Sequence, residues 1–276
     1  MINLKDVIDL HIHSAPDIRV RSHNDLELAE QATKVGAKAI VIKSHHTPTM
    51  DRAWIVNQVY PKTNVFGSIT LNHTVGGFNP YAVNYALELG AKIVWLPTIH
   101  AKNHLQKEGK SGGLEPVQDN KIVSDLIEIF KLIAEKKAVL ATGHISPKEI
   151  FYVVDEATKH GVEKIVVTHP EFHIVGMTIT DQKKLKDNYN VYFERTYAQP
   201  IGSGIYQSNL PINLEAIEEI GYHSTVVSTD GGQIENPKWN EALSNYIKFL
   251  FDNGISTEAI DTMTKHTPAK LLGLDI

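Results

Sequence analysis

Short runs of apolar, mostly β-branched residues alternate with longer amphipathic segments along the chain. Most of these runs are nearly continuous in apolar residues, which is typical of parallel strands that are covered on both faces. The pattern therefore predicts eight buried strands, at residues 7–13, 39–43, 65–71, 92–96, 138–144, 164–169, 191–194 and 224–230.

The segments between the predicted strands carry helix signals at their ends. Asn24 is a typical N-cap and Gly36 a typical stop, and Ser146 followed by Pro147 marks another start. Residues 100–118 are rich in Gly and Lys, and we expect an irregular, mobile lid there. Helices are predicted over residues 24–35, 49–60, 79–89, 119–136, 146–160, 180–188, 213–220, 239–253 and 257–272.

Eight strand-then-helix units in 276 residues indicate the α/β class and a closed (β/α)8 TIM barrel of parallel strands. The length is close to the roughly 250 residues that are typical of such a barrel, so we expect a single domain over residues 1–276. The alternative is an open, doubly wound sheet. Residues 14–25, which follow the first strand, lack the Gly-rich phosphate turn of that fold.

The composition restricts the cellular compartment and the classes of partner that are expected for this protein. The chain has no cysteine, which excludes disulfides, thiolate ligands and a Cys nucleophile and favours the cytoplasm. A net charge of −5 without a dense Lys/Arg block argues against a nucleic-acid partner. No apolar stretch reaches the ~18 residues of a membrane span, and no signal-peptide pattern begins the chain. We therefore expect a cytoplasmic protein with a small-molecule substrate and no membrane partner, and homo-oligomerisation is left open.

Polar residues collect at the ends of the predicted strands, which in a barrel converge on one mouth. His11 and His13 are two apart in a strand, so both side chains point to the same face and can chelate one metal ion. Such a pair alone is equally well explained as two ordinary polar residues at a strand edge. His144, His169 and Asp230 at the ends of later strands favour the metal site, because imidazoles with a carboxylate suit zinc and related ions.

The ordered motifs VIDLHIH, ATGHIS, VVTHPE and VSTDGG, with the C-terminal KHTPAKLLGL, resemble those of the amidohydrolase superfamily. The resemblance favours its compact members, such as phosphotriesterase-like lactonases and TatD-type hydrolases. It implies a metal-dependent hydrolase with one or two divalent ions, zinc first of all, held by His11, His13, His144, His169 and Asp230. It also implies that Asp230 is catalytic, taking a proton from the activated water and delivering it to the leaving group.

The resemblance leaves the reaction open. A hydrolase of this kind cleaves an amide, a lactone or other ester, or a phosphoester, and the motifs do not choose among these substrates. Metal-dependent decarboxylases, other lyases and isomerases share the barrel and part of the ligand set. A single ion without a bridging ligand would favour one of them.

Lys43 ends the second predicted strand, at the mouth of the barrel. A charged ammonium beside metal ions is unfavourable, because like charges repel. Many two-metal members of the superfamily have, on the fourth strand, a Lys or Glu that bridges the two ions. In this chain Lys92 lies at the beginning of that strand, at the opposite end from the predicted metal ligands. We therefore predict that Lys43 is a metal ligand, carboxylated if it bridges two ions. The alternatives are a Lys that reaches into solvent or binds an anionic substrate, and the Schiff-base nucleophile of an aldolase.

A further set of residues is predicted to bind substrate: His45, His46, His73, His100, Arg19 and Arg195. Taken singly, each histidine is more often an ordinary loop residue, and surface arginines are commonly solvated. Asp9 has the inward parity of the histidines on its strand and is expected to support them. His104 lies away from the predicted strand ends and is assigned no role.

Overall fold

The computed structural model describes residues 2–275, in which strands and helices alternate. The strands are β1 (Ile8–His13), β2 (Ala39–Lys43), β3 (Asn64–Phe66), β4 (Ser68–Thr70), β5 (Ile93–Trp95), β6 (Val117–Gln118), β7 (Lys121–Ile122), β8 (Val139–Ala141), β9 (Ile165–Val167), β10 (Val191–Thr196), β11 (Ala198–Gly202), β12 (Ile205–Ser208) and β13 (Thr225–Ser228). The helices are α1 (Asp25–Val35), α2 (Met50–Val59), α3 (Pro80–Glu88), α4 (Lys102–Lys107), α5 (Ser124–Glu135), α6 (Pro147–Lys159), α7 (Ile179–Asn188), α8 (Leu210–Ile220), α9 (Trp239–Asp252), α10 (Thr257–Asp261) and α11 (Thr267–Leu272).

Residues 2–44, 51–67 and 195–275 form a first compact unit. Its parallel sheet has the order β1-β2-β3, and Gly231, just after β13, forms a parallel bridge with Ile12 of β1. All six residues of β1 are buried. The apolar core of this unit includes Leu28 of α1 together with Trp239 and Tyr246 of α9. Strand β1 is therefore a buried support for the side chains at its end.

Residues 45–50 and 68–194 form a second compact unit. Strands β4, β5, β8, β9 and the first part of β10 are neighbours in this order, and all of these pairs are parallel. Helix α5 packs between α3 and α6, and its Ile129, Phe130 and Ile133 are fully buried. The parallel arrangement brings the carboxyl ends of β5, β8 and β9 to one edge of this sheet.

The eight predicted strands are confirmed, although several are shorter than predicted and the third is interrupted at Gly67 into β3 and β4. The helices are confirmed with two corrections. The helix predicted from residue 119 begins only at Ser124, because the residues before it form the antiparallel hairpin β6–β7. The last predicted helix is divided into α10, a π-helical turn at Thr262–His266 and α11. Among residues 2–275, no helix is both long and apolar enough to cross a membrane.

The prediction that residues 100–118 are irregular is confirmed only in part, for residues 108–116. Residues 100–118 contain α4, and the segment that follows this helix folds back against the first residue of the helix. The backbone N–H of Lys102 donates to the carbonyl oxygen of Leu114 at 2.9 Å, and Lys102 Nζ lies 2.8 Å from Glu115 Oε2. The hairpin β11–β12 is likewise absent from the prediction. Both features depend on backbone pairing and side-chain contacts that hydrophobic periodicity does not record.

Candidate metal centre

Three ligand-type side chains of the first unit converge at the ends of β1 and β13. His11 and His13 are buried on β1, and their ring centroids lie 5.3 Å apart. Asp230 follows β13, and its Oδ1 lies 3.1 Å from Nε2 of His11 and 3.2 Å from Nε2 of His13. A set of donor atoms from these residues, one from each, lies within 4.8 Å of one another. We call these three residues the His–Asp centre.

The backbone after β13 is shaped to bring Asp230 close to β1. Asp230 has a φ of 48°, a left-handed conformation that Asp tolerates better than most residues. The backbone N–H of His13 donates to the carbonyl oxygen of Gly231 at 2.9 Å. A Cβ at Gly232 would collide with the carbonyl oxygen of His13. Gly232 therefore permits a close approach to His13 that a larger residue would block.

Asp9 ties together the two segments that carry the His–Asp centre. Its buried carboxylate accepts a hydrogen bond from the backbone N–H of His11 at 3.0 Å and another from Thr229 Oγ1 at 2.6 Å. Trp239 Nε1 donates to the same carboxylate at 2.9 Å. Burial raises the pKa of Asp9 to about 6, although these hydrogen bonds oppose the shift. Asp9 therefore stabilises the positions of the two segments that carry the ligands.

The charges of the centre suit a divalent cation. Burial first, and then the charge of Arg21, hold the pKa of His13 well below its usual range, so its imidazole is neutral. Burial would raise the pKa of Asp230, but its contacts with His11 and His13 outweigh burial and hold that pKa well below its usual range. Neutral imidazoles and a carboxylate are donors that zinc and related ions bind. The residues present therefore fit such an ion.

Lys43 belongs to the same cluster. It is fully buried at the end of β2, where it is paired in register with His13 of β1. Its Nζ lies 2.9 Å from Nε2 of His11. The alternative in which Lys43 reaches into solvent is therefore wrong. The remaining roles, as a ligand, as the partner of an anionic substrate and as a nucleophile, all require a position of this kind.

His144 and His169 of the second unit follow β8 and β9 and lie side by side. Their ring centroids are 5.0 Å apart, and Phe172 packs edge-on against both rings. His169 has a φ of 25°, a strained conformation of the kind that clusters at functional sites. A Cβ at Gly143 would collide with the carbonyl oxygen of Leu96, so glycine is required before His144. The role of both histidines as metal ligands stays a prediction.

The four histidines that were predicted to bind substrate are also in the second unit. His45 Nδ1 lies 2.8 Å from Thr98 Oγ1, and the ring of His45 is 6.4 Å from that of His46. The rings of His73 and His100 are 4.9 Å apart. Burial, followed by the neighbouring histidines, lowers the pKa of His100. The structure thus groups these residues in pairs, and their substrate-binding role stays a prediction.

The two arginines of that set are placed differently. Arg195 is fully buried, and its Nη2 lies 3.5 Å from the carbonyl oxygen of Ala216 in α8. This placement gives no support to a contact between Arg195 and a substrate. Arg19 is exposed, and its Nη2 lies 3.5 Å from the hydroxyl of Tyr206 in β12. Of the two, Arg19 is the one exposed to solvent. The substrate-binding role of both arginines stays a prediction.

His104, to which the strand-end pattern assigns no role, lies against His144. Its Nδ1 is 2.7 Å from Nδ1 of His144, and the two rings are nearly parallel, at 15°. Its Nε2 is 3.4 Å from Oε1 of Glu108. The i,i+4 spacing of His104 and Glu108 is the sequence signal that would have drawn attention to this pair.

Solved structures with the same architecture define the class of this fold. A protein from Pseudomonas putida assigned as a 2-pyrone-4,6-dicarboxylic acid hydrolase is similar over 100% of both chains, with a TM-score of 0.67 and 14% identity. A 2,6-dihydroxybenzoate decarboxylase from Rhizobium covers 98% of this chain and 99% of its own, with a TM-score of 0.59 and 12% identity. A TIM-barrel protein from Bordetella bronchiseptica covers 97% and 98%, with a TM-score of 0.56 and 12% identity.

These similarities confirm the predicted fold class, an α/β barrel like those of the amidohydrolase superfamily. Residues 6–194 match DUF6282, a family of unknown function, and the chain belongs to this family. No curated protein matches the chain at a significant level. The match to DUF6282 includes both histidines of β1 and ends before Asp230.

Proposed function

We propose that the protein is a metal-dependent hydrolase, which uses the His–Asp centre to cleave an amide, an ester such as a lactone, or a phosphoester in a small molecule. The observation that carries the proposal is the convergence of two buried imidazoles and one carboxylate, with donor atoms within 4.8 Å of one another. The fold of the similar protein from Pseudomonas putida, assigned as a hydrolase, supports the same reaction class.

A divalent ion at this centre, zinc in our proposal, would lower the pKa of a water molecule and polarise the substrate oxygen under attack. Asp230 takes the proton of the attacking water on a carboxylate oxygen and delivers it to the leaving group. Asp9 keeps His11 in place through the backbone N–H of that residue. From the resemblance alone, we propose that His144 and His169 supply further ligands and that one or two ions are bound.

Metal content tests this proposal directly. His11→Ala combined with His13→Ala should abolish tightly bound metal while the barrel still folds, because both imidazole donors of β1 are removed. Elemental analysis of the purified protein gives the metal per chain, and circular dichroism reports the fold. The matched control replaces two histidines far along the chain, His160 and His266, and should retain the metal. Full retention in the β1 double variant would refute the site.

A decarboxylase, or another lyase or an isomerase, is the second candidate. The observation that favours it is the buried amine of Lys43, 2.9 Å from His11, because an unmodified ammonium there would neutralise a substrate carboxylate. The decarboxylase from Rhizobium has a similar fold. One ion per chain with an unmodified Lys43 would support this candidate, and two ions with a carboxylated Lys43 would support the hydrolase. Borohydride trapping of substrate on Lys43 would instead identify an aldolase.

A further inference from the structure

Helix α4 holds His144 through both its main chain and its ring. Asn103 Nδ2 donates to the carbonyl oxygen of His144 at 3.0 Å and to that of Ile174 at 2.9 Å. The next residue, His104, places its Nδ1 2.7 Å from Nδ1 of His144. Two successive side chains of one short helix thus fix a single histidine at the end of a barrel strand.

The contact between the two Nδ1 atoms restricts where the protons lie. One nitrogen must donate and the other must accept, and a carboxylate can only accept. On the far side of His104, Nε2 faces Oε1 of Glu108 at 3.4 Å. A neutral His104 that donates from Nε2 to Glu108 has its lone pair on Nδ1. His144 then donates from its own Nδ1 and keeps a lone pair on Nε2.

The neighbouring groups support this direction of hydrogen-bond donation, from His144 to His104 to Glu108. The hydrogen bond from Lys110 Nζ to Glu108, at 2.7 Å, is the main cause that lowers the pKa of this carboxyl group, so Glu108 is an acceptor. An ion pair between Lys102 and Glu115 links the first residue of α4 to the segment that follows the helix.

We propose that Glu108 and His104 form a positioning relay that holds His144 as the tautomer with an unprotonated Nε2, ready to bind a metal ion. His104 is a positioning residue and touches no reacting atom. Histidine ligands generally donate their other ring N–H to an acceptor that fixes the tautomer, and here that acceptor is a second imidazole. The use of the relay rests on the proposed metal centre, but its hydrogen bonds do not require the ion.

The tautomer of His144 is measurable in the metal-free protein, by ¹⁵N–¹H spectra of histidine side chains assigned with His144→Gln. In the wild type, Nδ1 of His144 should carry the proton. His104→Leu removes the acceptor and should shift the proton toward Nε2. His104→Gln offers a carbonyl oxygen in its place and should restore the wild-type tautomer. The control is His160→Leu, which breaks a similar His–Glu pair, 3.3 Å from Glu156, without touching His144.

Zinc affinity provides the second readout, by competition with a chromophoric chelator. His104→Leu should weaken binding by about 10–100-fold, the usual effect of losing such a supporting partner. His104→Gln and His160→Leu should bind zinc as the wild type does. Glu108→Ala, at a side chain that is 41% exposed, serves as a second variant if His104→Leu does not fold, and it should shift the tautomer in the same direction.

Two results would overturn the relay: a wild-type His144 that is protonated at Nε2, or a His144 tautomer that is unchanged in both His104→Leu and Glu108→Ala. Failure of the proposed function looks different. A wild type that binds no zinc, but whose His144 tautomer depends on His104, would refute the metal centre and leave the relay in place.

Discussion

At the scale of single residues, hydrogen bonds within the chain fix the backbone on which the His–Asp centre is built. The backbone of His11 is fixed by Asp9, and that of His13 by Gly231. Asp230 is held in a left-handed conformation that aims its carboxylate at both imidazoles. Ligands whose positions and charge states are set in advance lose little freedom on binding, which is the usual requirement of a functional site.

The role of Asp230 in proton transfer predicts a specific kinetic effect. Asp230→Asn keeps the shape of the side chain but lowers its basicity. Once a substrate is identified, kcat should fall by about 10²–10⁴-fold, and KM should change far less. Asp252→Asn, an exposed aspartate that pairs with Lys248, is the control and should leave both constants unchanged. An unchanged kcat in Asp230→Asn would remove this residue from the acid–base role.

The prediction for Lys43 follows from its distance to His11. A bare amine offers one lone pair and cannot bridge two cations, so a bridging Lys43 must be carboxylated. Lys43→Ala should then lose one metal ion per chain, and added short carboxylic acids should partly restore it by supplying a bridging anion. Elemental analysis measures the metal, and a crystal structure should contain a planar extension beyond Nζ. Retention of two ions in Lys43→Ala would contradict the ligand role.

At the scale of elements, the sequence predicts features that follow from strand periodicity and misses features that depend on tertiary contacts. The period of two in a strand is enough to place His11 and His13 on one face, and the structure confirms that geometry. The contact of α4 with His144 is tertiary and leaves no periodic signal. For Arg195, strand-end position alone does not fix the side-chain direction, and its guanidinium faces α8.

The link between β1 and β13 predicts that strand pairing and metal binding are coupled. Thr229→Val removes a hydroxyl that donates to Asp9 at 2.6 Å and accepts from the backbone N–H of Gly231 at 3.0 Å. The loss of these buried bonds should cost about 1–3 kcal/mol of unfolding free energy and weaken zinc binding. Thr225→Val, at the start of β13, removes a bond to the carbonyl oxygen of Gly221. This control should lose stability without losing zinc affinity, as urea unfolding and chelator competition can measure.

At the scale of the whole molecule, the fold is predictable because eight repeated units encode it redundantly. The break of the third predicted strand at Gly67 and the delayed start of α5 leave the alternation of strands and helices intact. The candidate site is not encoded redundantly, because each ligand residue is a single position whose misassignment no other position corrects. The expected single domain stays a prediction, as do the compartment and the oligomeric state.

Buried histidines predict that stability falls in mild acid, and His23 allows the sign to be tested at a histidine that is not itself a proposed metal ligand. It is 3% exposed, and burial lowers its pKa to about 4 from the usual 6.5. The folded state therefore binds fewer protons than the unfolded state. The stability that His23 contributes is present above pH 6.5 and is lost as the pH falls toward 4.

For the metal-free protein, we expect His23→Gln to remove about 2 kcal/mol of the decrease in unfolding free energy between pH 7 and pH 4.5, because one lowered pKa unit is worth about 1.4 kcal/mol. Urea unfolding of both proteins at several pH values measures the difference. Above pH 7.5, the difference between the two proteins should be constant, since His23 is neutral in both the folded and the unfolded states. That constant offset is the internal control for any packing cost of the substitution. A variant that loses as much stability in acid as the wild type would show that the proton uptake lies elsewhere, among the other buried histidines.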